Sequence, residues 1–221
     1  MRILFLFITT ILFLSCRKQA DVSIDFYKEY YPINVGSWIE YDVTDISHNS
    51  LGSDTSYYFL KELIASEYID SAGHLSHRIE RFWKTDSTSL YQIKDVWIGT
   101  LTNTSAQKVE ENLRYVKMIF PIKTGEYWNG NSYNGLNEWE YEYDSIHMSY
   151  HINNIEFDST VKVINRDKYN AVEYENAYEI YSKNIGLIYK KYIDLSINLY
   201  NIKDVNEGVE LEMKMINHGS N

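Results

Sequence analysis

The sequence feature that most constrains the fold is a period-two alternation of side chains. Acidic and aromatic residues alternate in residues 138–144, in the order Glu138-Trp139-Glu140-Tyr141-Glu142-Tyr143-Asp144. Because successive side chains of a β-strand point to opposite faces, a strand here places its carboxylates on one side and its rings on the other. Similar patterns run from Leu187 to Leu199 and from Val209 to Met215. One-sided strands of this kind are typical of antiparallel sheet.

Composition and turn signals favour the same class. The 221 residues include 21 Tyr, 8 Phe and 5 Trp but only 2 Pro, and aromatic residues fit a pleated, half-buried surface. Asn129-Gly130 and Asn134-Gly135 tolerate the positive φ angles of tight hairpin turns, and Asn206-Glu207-Gly208 is a similar break before the last strand. We therefore predict an all-β fold with little helix, an antiparallel sheet that forms an open barrel or a sandwich.

One segment allows two interpretations. From Ser105 to Val116, a helix would place Val109, Leu113 and Val116 on one face. Residues 113–118 also alternate in the manner of a strand. Periodicity leaves both possibilities open.

A short motif occurs twice. Tyr31-Pro32-Ile33-Asn34-Val35-Gly36, followed by Trp38, recurs as Phe120-Pro121-Ile122-Lys123-Thr124-Gly125, followed by Trp128. The two prolines and the two glycines are each 89 residues apart. Proline fixes φ and gives up a backbone donor, glycine permits a backbone angle closed to other residues, and the aromatic residues hold the turn on the core. We predict a structural turn that opens each of two pseudo-repeats, about 26–118 and 119–217.

The N-terminus has the order of a secretory signal. Met1 and Arg2 precede an apolar run to Leu14, and the small Ser15 precedes Cys16, the one cysteine of the chain. This run is too short for a membrane-spanning helix, which needs about 20 apolar residues. Phe13-Leu14-Ser15-Cys16 resembles the lipobox of bacterial lipoproteins, in which the cysteine is acylated and the signal is removed before it. That resemblance implies lipidation of Cys16 with fatty acyl groups such as palmitate.

These patterns divide the chain into a signal peptide (1–15), a lipidated tether (16–25), a single β-rich domain (26–217) and a flexible tail (218–221). The resemblance implies a location at the cell envelope, and we favour the outer membrane. The net charge of −10 and the lack of a basic stripe beyond the tether argue against nucleic acid as a partner. With its single cysteine, the chain cannot be a disulfide scaffold.

Residues 31–41, 120–128 and 181–189 together resemble a group of Bacteroidetes lipoproteins. These share a Pro-x-x-x-Gly-x-x-Trp opening and a late Gly-Leu-x-Tyr strand. The resemblance brings no activity with it.

Few residues suggest catalysis or metal binding. Glu138, Glu140, Glu142 and Asp144 could offer oxygen ligands to a cation, but an acidic strand face is more often simply solvated. His147 and His151 lie about 13 Å apart on a strand, too far for one metal ion. The chain has no Gly-x-Ser-x-Gly nucleophile motif. We therefore expect no catalytic residue, metal or cofactor.

The expected function is non-enzymatic binding or assembly at the membrane. The partner would be an apolar ligand, held by a curved sheet, or an envelope protein. A surface glycan-binding module with an exposed aromatic row is the alternative, and a carboxylate-based hydrolase is a third possibility.

Overall fold

The computed structural model describes residues 25–220, which form an all-β fold. A single 3-10 turn, Lys28–Tyr30, precedes twelve strands: β1 Ser37–Asn49, β2 Gly52–Ile69, β3 Leu75–Lys84, β4 Gln92–Leu101, β5 Ser105–Glu110, β6 Leu113–Ile119, β7 Tyr127–Asn129, β8 Glu140–Ile152, β9 Ile155–Tyr169, β10 Glu173–Ser182, β11 Gly186–Asn198 and β12 Asn201–Ser220. The prediction of an all-β chain with little helix is confirmed. None of the described helical residues belongs to a helix long and apolar enough to span a membrane.

The strands form one antiparallel sheet that curls into a nearly closed barrel. Strands β1–β6 and β7–β12 are two meanders, joined by the pairing of β1 with β12. The edge strands β6 and β7 meet on the far side, where the Val116 amide donates to the Gly130 carbonyl over 2.8 Å. The Tyr143 hydroxyl also donates to the Ile119 carbonyl over 2.7 Å. Of the two predicted arrangements, the chain adopts the barrel.

Alternation decides which side chains of the strands are buried. In β8, Tyr141 and Tyr143 are buried, whereas Glu140, Glu142 and Asp144 are exposed. In β12, Met213 and Met215 are buried in the same way. Burial of the apolar face supplies the driving force for sheet formation. The predicted one-sided pattern is confirmed at these four residues, whereas Val209 at the start of the β12 pattern is exposed.

Residues 105–116 form a hairpin and not a helix. Strands β5 and β6 pair from Ser105 with Ile119 to Glu110 with Leu113. The two turn residues, Glu111 and Asn112, have φ angles of 47° and 64°, as two-residue hairpin turns require. The helical interpretation is wrong. A single helix of this length is only marginally stable by itself, whereas β5 forms backbone hydrogen bonds with both β4 and β6.

Two of the predicted turns differ in the structure. Asn206-Glu207-Gly208 is inside β12, where Gly208 pairs with Leu195 of β11. The hairpin turn before β12 is Leu199-Tyr200, whose φ angles are 48° and 64°. Leucine and tyrosine are not turn-forming residue types, so the sequence pattern predicts the break at Gly208 instead. Asn129-Gly130 opens a longer loop between β7 and β8, not a tight hairpin.

The end of the domain also differs from the prediction. Strand β12 continues to Ser220, and residues 218–220 pair with Ile39, Trp38 and Ser37 of β1. The flexible tail predicted for 218–221 is therefore wrong for residues 218–220. Pairing with β1 supplies partners for backbone groups that would otherwise face solvent.

The two copies of the proline motif end in the same turn. The Ser37 amide donates to the Asn34 carbonyl over 3.1 Å, and the Glu126 amide donates to the Lys123 carbonyl over 3.2 Å. Gly36 and Gly125 precede these donors with φ angles of 91° and 73°, which glycine adopts without steric cost. One turn leads into β1 and the other into β7, so each lies ahead of a six-stranded meander. Common origin of the two halves stays a prediction.

The N-terminal segment 26–36 lies inside one end of the barrel, which we call the lower end. Here β1 begins, β12 ends and β10 turns into β11. Tyr30 is fully buried, and its hydroxyl lies 2.6 Å from Ser159 Oγ. Ile33 packs against Gly99 so closely that a Cβ there would lie 2.6 Å from Ile33 Cδ1. The segment therefore forms part of the wall of the barrel interior.

Candidate functional site

The barrel encloses a cavity of about 730 Å³, which we call the lumen cavity. Its lining comes from β1–β6, β10–β12 and the N-terminal segment. Small-molecule sites commonly measure about 300–1,000 Å³. The lumen cavity is therefore large enough for a complete small ligand.

The cavity opens at the lower end of the barrel. Its exposed lining residues belong to the first turn, the β10–β11 turn and the end of β12: Asn34, Val35, Asn184, His218 and Ser220. Large apolar side chains form much of the remaining wall: Ile33, Trp38, Ile39, Ile64, Ile79, Leu187, Leu211 and Met213. A molecule entering from the lower end would first meet this apolar wall.

Charged side chains lie deeper in the barrel. We call this set the charged layer: Glu62, Arg81, Asp95, Lys108, Glu110, Lys117, Glu179 and Lys190. All except Asp95 line the lumen cavity. The side chains of Lys117 and Glu179 are only 6% and 2% exposed. Charges this deep are rare in protein interiors unless they are paired.

One half of the charged layer centres on Arg81. Its Nε donates to Glu62 over 3.0 Å, and one terminal nitrogen donates to both Asp95 oxygens over 3.0 and 2.9 Å. Lys108 Nζ donates to the other Glu62 oxygen over 2.9 Å. The Arg81 guanidinium also stacks 3.4 Å above the Trp97 ring, an arrangement that adds cation–π attraction. Direct cross-strand pairing of Glu62 with Arg81 and of Arg81 with Asp95 creates this half.

The other half joins opposite walls of the barrel. Lys117 Nζ on β6 donates to Glu179 on β10 over 2.7 Å, although these strands are not neighbours in the sheet. Lys190 lies 3.5 Å from Glu179 and 3.8 Å from Glu110, and Lys117 lies 3.5 Å from Glu110. The Tyr181 hydroxyl donates to Glu179 over 2.7 Å. The result is a ring of two lysines and two glutamates across the lumen.

Mutual attraction keeps this ring ionised. Burial raises the pKa of Glu110, but the ammonium groups of Lys117 and Lys190 outweigh burial, and the net pKa is below its ordinary value. The same balance lowers the pKa of Glu179. For Lys117 burial lowers the pKa, yet the two carboxylates raise it well above its ordinary value. These groups therefore carry their charges at neutral pH.

Sequence reasoning missed the charged layer because its members share a face with apolar residues. Ile79 and Arg81 point the same way along β3, as do Ala177 and Glu179 along β10. The only signal was a charge that interrupts an apolar face.

A β-bulge changes the alternation in β11. Tyr181 pairs with Leu187 and Ile180 pairs with Tyr189, so Ile188 has no partner on β10. A bulge of this kind shifts every later side chain to the other face. Leu187 and Lys190 therefore both line the lumen cavity, whereas the sequence pattern predicted opposite faces for them.

The predicted site residues are separated in the structure. Pro32 and Trp38 of the first motif line the lumen cavity, a position that the sequence did not suggest. Trp128 of the second motif is buried in the core, where its Nε1 donates to the Val116 carbonyl over 2.8 Å. Gly36, Pro121 and Gly125 remain turn residues. The predicted lipidation residue Cys16 and the signal peptide lie outside the described residues.

The other chemical candidates do not converge. Within residues 25–220, no group of three or more His, Asp or Glu side chains is arranged to hold a metal ion. His147 lies at a positive φ of 57°, with its Nδ1 2.7 Å from the Tyr30 hydroxyl. His151 is exposed on the same strand. His147 thus contributes to anchoring the N-terminal segment.

A tyrosine cluster at the hairpin tips does not form a flat platform. Tyr169 meets Tyr174 and Tyr200 with interplanar angles of 84° and 80°, so the rings contact edge to face. A sugar-stacking row presents ring faces to solvent. This cluster at the hairpin tips therefore lacks the geometry that the glycan-binding alternative needs.

Comparisons with known proteins found only weak structural resemblances. No family model matches the chain, and no curated protein matches it. Among solved structures, it is similar to a chain described as an exported protein with a YmcC-like fold from Bacteroides fragilis, at 12% identity over 84% of this chain and 98% of that chain (TM-score 0.43). A chain described as a lipoprotein from Parabacteroides distasonis matches at 12% identity over 85% and 98% (TM-score 0.38).

A third structure is described as an outer membrane lipoprotein-sorting protein domain, from Vibrio parahaemolyticus. It matches at 10% identity over 84% of this chain and 85% of that chain (TM-score 0.22). Likenesses of this size identify no ligand or activity.

Proposed function

We propose that the protein is a non-enzymatic binding module of the cell envelope and that it holds an amphipathic small molecule in the lumen cavity. The observation that carries the proposal is the cavity itself, about 730 Å³ with exposed lining residues at the lower end of the barrel. Its apolar wall suits a hydrocarbon portion, and the charged layer suits a polar group. Most small-molecule sites combine an apolar lining with a few polar groups in the same way.

The position of the mouth supports a ligand of membrane origin. Residue 25 lies at the lower end, next to the N-terminal segment that lines the cavity. If Cys16 carries the lipid, residues 16–25 reach at most about 30 Å when fully extended. The mouth would then stay close to the membrane surface, where amphipathic molecules are concentrated.

The electrostatics of the cavity support binding over hydrolysis. A carboxylate hydrolase needs one carboxylic acid that is protonated at the working pH, with a raised pKa. Here Lys117 and Lys190 keep the pKa values of Glu110 and Glu179 below their ordinary values. Neither group is suited to donate a proton to a leaving group.

Blocking the mouth tests the binding proposal. Ser37 lines the cavity near its opening, and Ser37→Trp would place an indole there. We expect the affinity for the uncharged fluorescent probe N-phenyl-1-naphthylamine to fall by more than about tenfold, which corresponds to roughly 1.4 kcal/mol. Fluorescence titration of the purified domain measures this change.

A matched variant controls for the substitution itself. Ser56 is exposed on β2 and does not line the cavity, so Ser56→Trp should bind the probe like the wild type. Absence of probe binding in the wild type, or equal affinities in both tryptophan variants, would refute the proposed cavity function.

The anchor is tested at Cys16. Two or more acyl chains hold a protein on a membrane stably, so Cys16→Ser should move the domain from the membrane fraction to the soluble fraction and abolish labelling by an alkyne analogue of palmitate. Ser23→Ala in the same tether should change neither the membrane fractionation nor the labelling. A Cys16→Ser protein that still sediments with membranes would contradict the lipid anchor.

A further inference from the structure

The charged layer is balanced in charge. It contains four carboxylates, from Glu62, Asp95, Glu110 and Glu179, and four cations, from Arg81, Lys108, Lys117 and Lys190. Each cation lies within 4.0 Å of at least one of these carboxylates. Asp95 lies outside the cavity lining but contacts Arg81 at 2.9 Å. Counted with Asp95, the layer adds no net charge to the inner end of the lumen cavity.

This balance determines which polar groups the cavity accepts. A ligand with a single charge would bring an uncompensated charge into a buried layer whose charges already neutralise one another, and desolvation of such a charge is strongly unfavourable. An uncharged or zwitterionic group avoids this cost. It also finds hydrogen-bonding partners, because an ammonium has three donors and a carboxylate has several acceptor sites.

The Trp97 indole forms part of the wall against which such a group would lie. Trp97 lines the cavity, and its buried Nε1 makes no hydrogen bond within the described part of the chain. Trp97 also lies directly beneath Arg81 and Lys108, with their charged groups 3.4 and 4.6 Å from its ring centroid.

Building on the proposed function, we propose that the lumen cavity selects amphipathic molecules with an uncharged or zwitterionic head group over singly charged molecules of the same chain length. The head group lies against the charged layer and the Trp97 ring. The hydrocarbon chain lies along the apolar wall toward the mouth.

Four molecules that share one chain length test this selectivity in the wild-type domain. They are monolauroylglycerol, which is uncharged; dodecylphosphocholine, which is zwitterionic; dodecanoate, an anion; and dodecyltrimethylammonium, a cation. Each is titrated against bound N-phenyl-1-naphthylamine at neutral pH, below its own critical micelle concentration. We expect the first two to bind at least about tenfold more tightly than the two ions.

The outcomes separate the two proposals. If the probe binds but dodecanoate or dodecyltrimethylammonium displaces it as well as the uncharged molecule does, the head-group selectivity is wrong and the cavity function stands. If the probe binds and none of the four displaces it, the selectivity is likewise wrong. If the probe itself does not bind, the cavity function fails and the selectivity fails with it.

Charge-altering variants provide the second test. Glu110→Gln leaves the layer with one excess positive charge, and Lys190→Met leaves one excess negative charge. Both keep the short Lys117–Glu179 contact of 2.7 Å. We expect Glu110→Gln to raise the affinity for dodecanoate at least about tenfold, and Lys190→Met to do so for dodecyltrimethylammonium.

Exposed residues supply the matched controls. Glu138→Gln and Lys203→Met change the same charges on the surface and should leave the order of affinities as in the wild type. If the layer variants keep the wild-type order too, the head group does not lie at the charged layer. If either layer variant does not fold, the wild-type ranking decides the proposal.

Discussion

Replacing Lys117 by methionine is expected to lower the free energy of unfolding by about 3–5 kcal/mol, the cost of removing one partner from a buried ion pair. Lys117 is the cation that joins β6 to β10 across the lumen, and it contacts both Glu110 and Glu179. Without it, the cation that remains within 4.0 Å of these two carboxylates, among residues 25–220, is Lys190, at 3.8 and 3.5 Å. Urea denaturation followed by tryptophan fluorescence measures the loss.

Two further variants distinguish electrostatics from packing. Lys203→Met changes an exposed lysine of β12 and should alter stability by less than about 0.5 kcal/mol. The double variant Lys117→Met/Glu179→Gln also removes the charge of Glu179, which has lost its closest cation. It should therefore be more stable than Lys117→Met alone. A Lys117→Met protein with the wild-type urea midpoint would show that the ring of charges contributes nothing to stability.

Gly208→Ala should be the most damaging of the glycine substitutions. Gly208 has a φ of 143°, and a Cβ there would lie 2.2 Å from the carbonyl oxygen of Asp194. That oxygen belongs to the backbone of β11 and cannot move without disturbing the sheet. We expect strain of about 1–3 kcal/mol from the backbone angle, with about 1–3 kcal/mol more from the forced contact.

Gly52 offers a matched control for the backbone angle. Its φ is 131°, but a Cβ there would meet nothing within 4 Å. The difference between the urea-derived stabilities of Gly208→Ala and Gly52→Ala therefore isolates the contact with Asp194. Equal losses in the two variants would mean that β11 and β12 are not packed as described at Gly208.

Local pattern predicted the elements where one face of a strand is uniformly apolar. Tyr141 and Tyr143, and Met213 and Met215, are buried as their alternation requires. Prediction was poorer where the backbone departs from regular pairing. The Leu199-Tyr200 turn has no turn-forming residue type, and the strand pairing of 218–220 depends on β1, which is remote in the sequence.

The candidate site illustrates the same limit more strongly. Lys190 and Leu187 share the lumen because a bulge leaves Ile188 without a partner on β10. Lys117 and Glu179, 62 residues apart, meet only because the barrel curls until opposite walls face each other. No spacing rule within one strand relates these residues.

The sequence by itself determined that this chain forms antiparallel sheet, since alternation of apolar and polar residues acts on neighbours along the chain. It also determined the repeated turn, because glycine is the residue that enters the left-handed region freely. The closure of the sheet around a cavity, and the identity of the charged side chains inside it, could be seen only in the folded chain. Barrel closure and β-bulges determine which distant side chains a residue faces. Both depend on pairing between strands that are far apart in the sequence, so a pattern within one strand does not predict them.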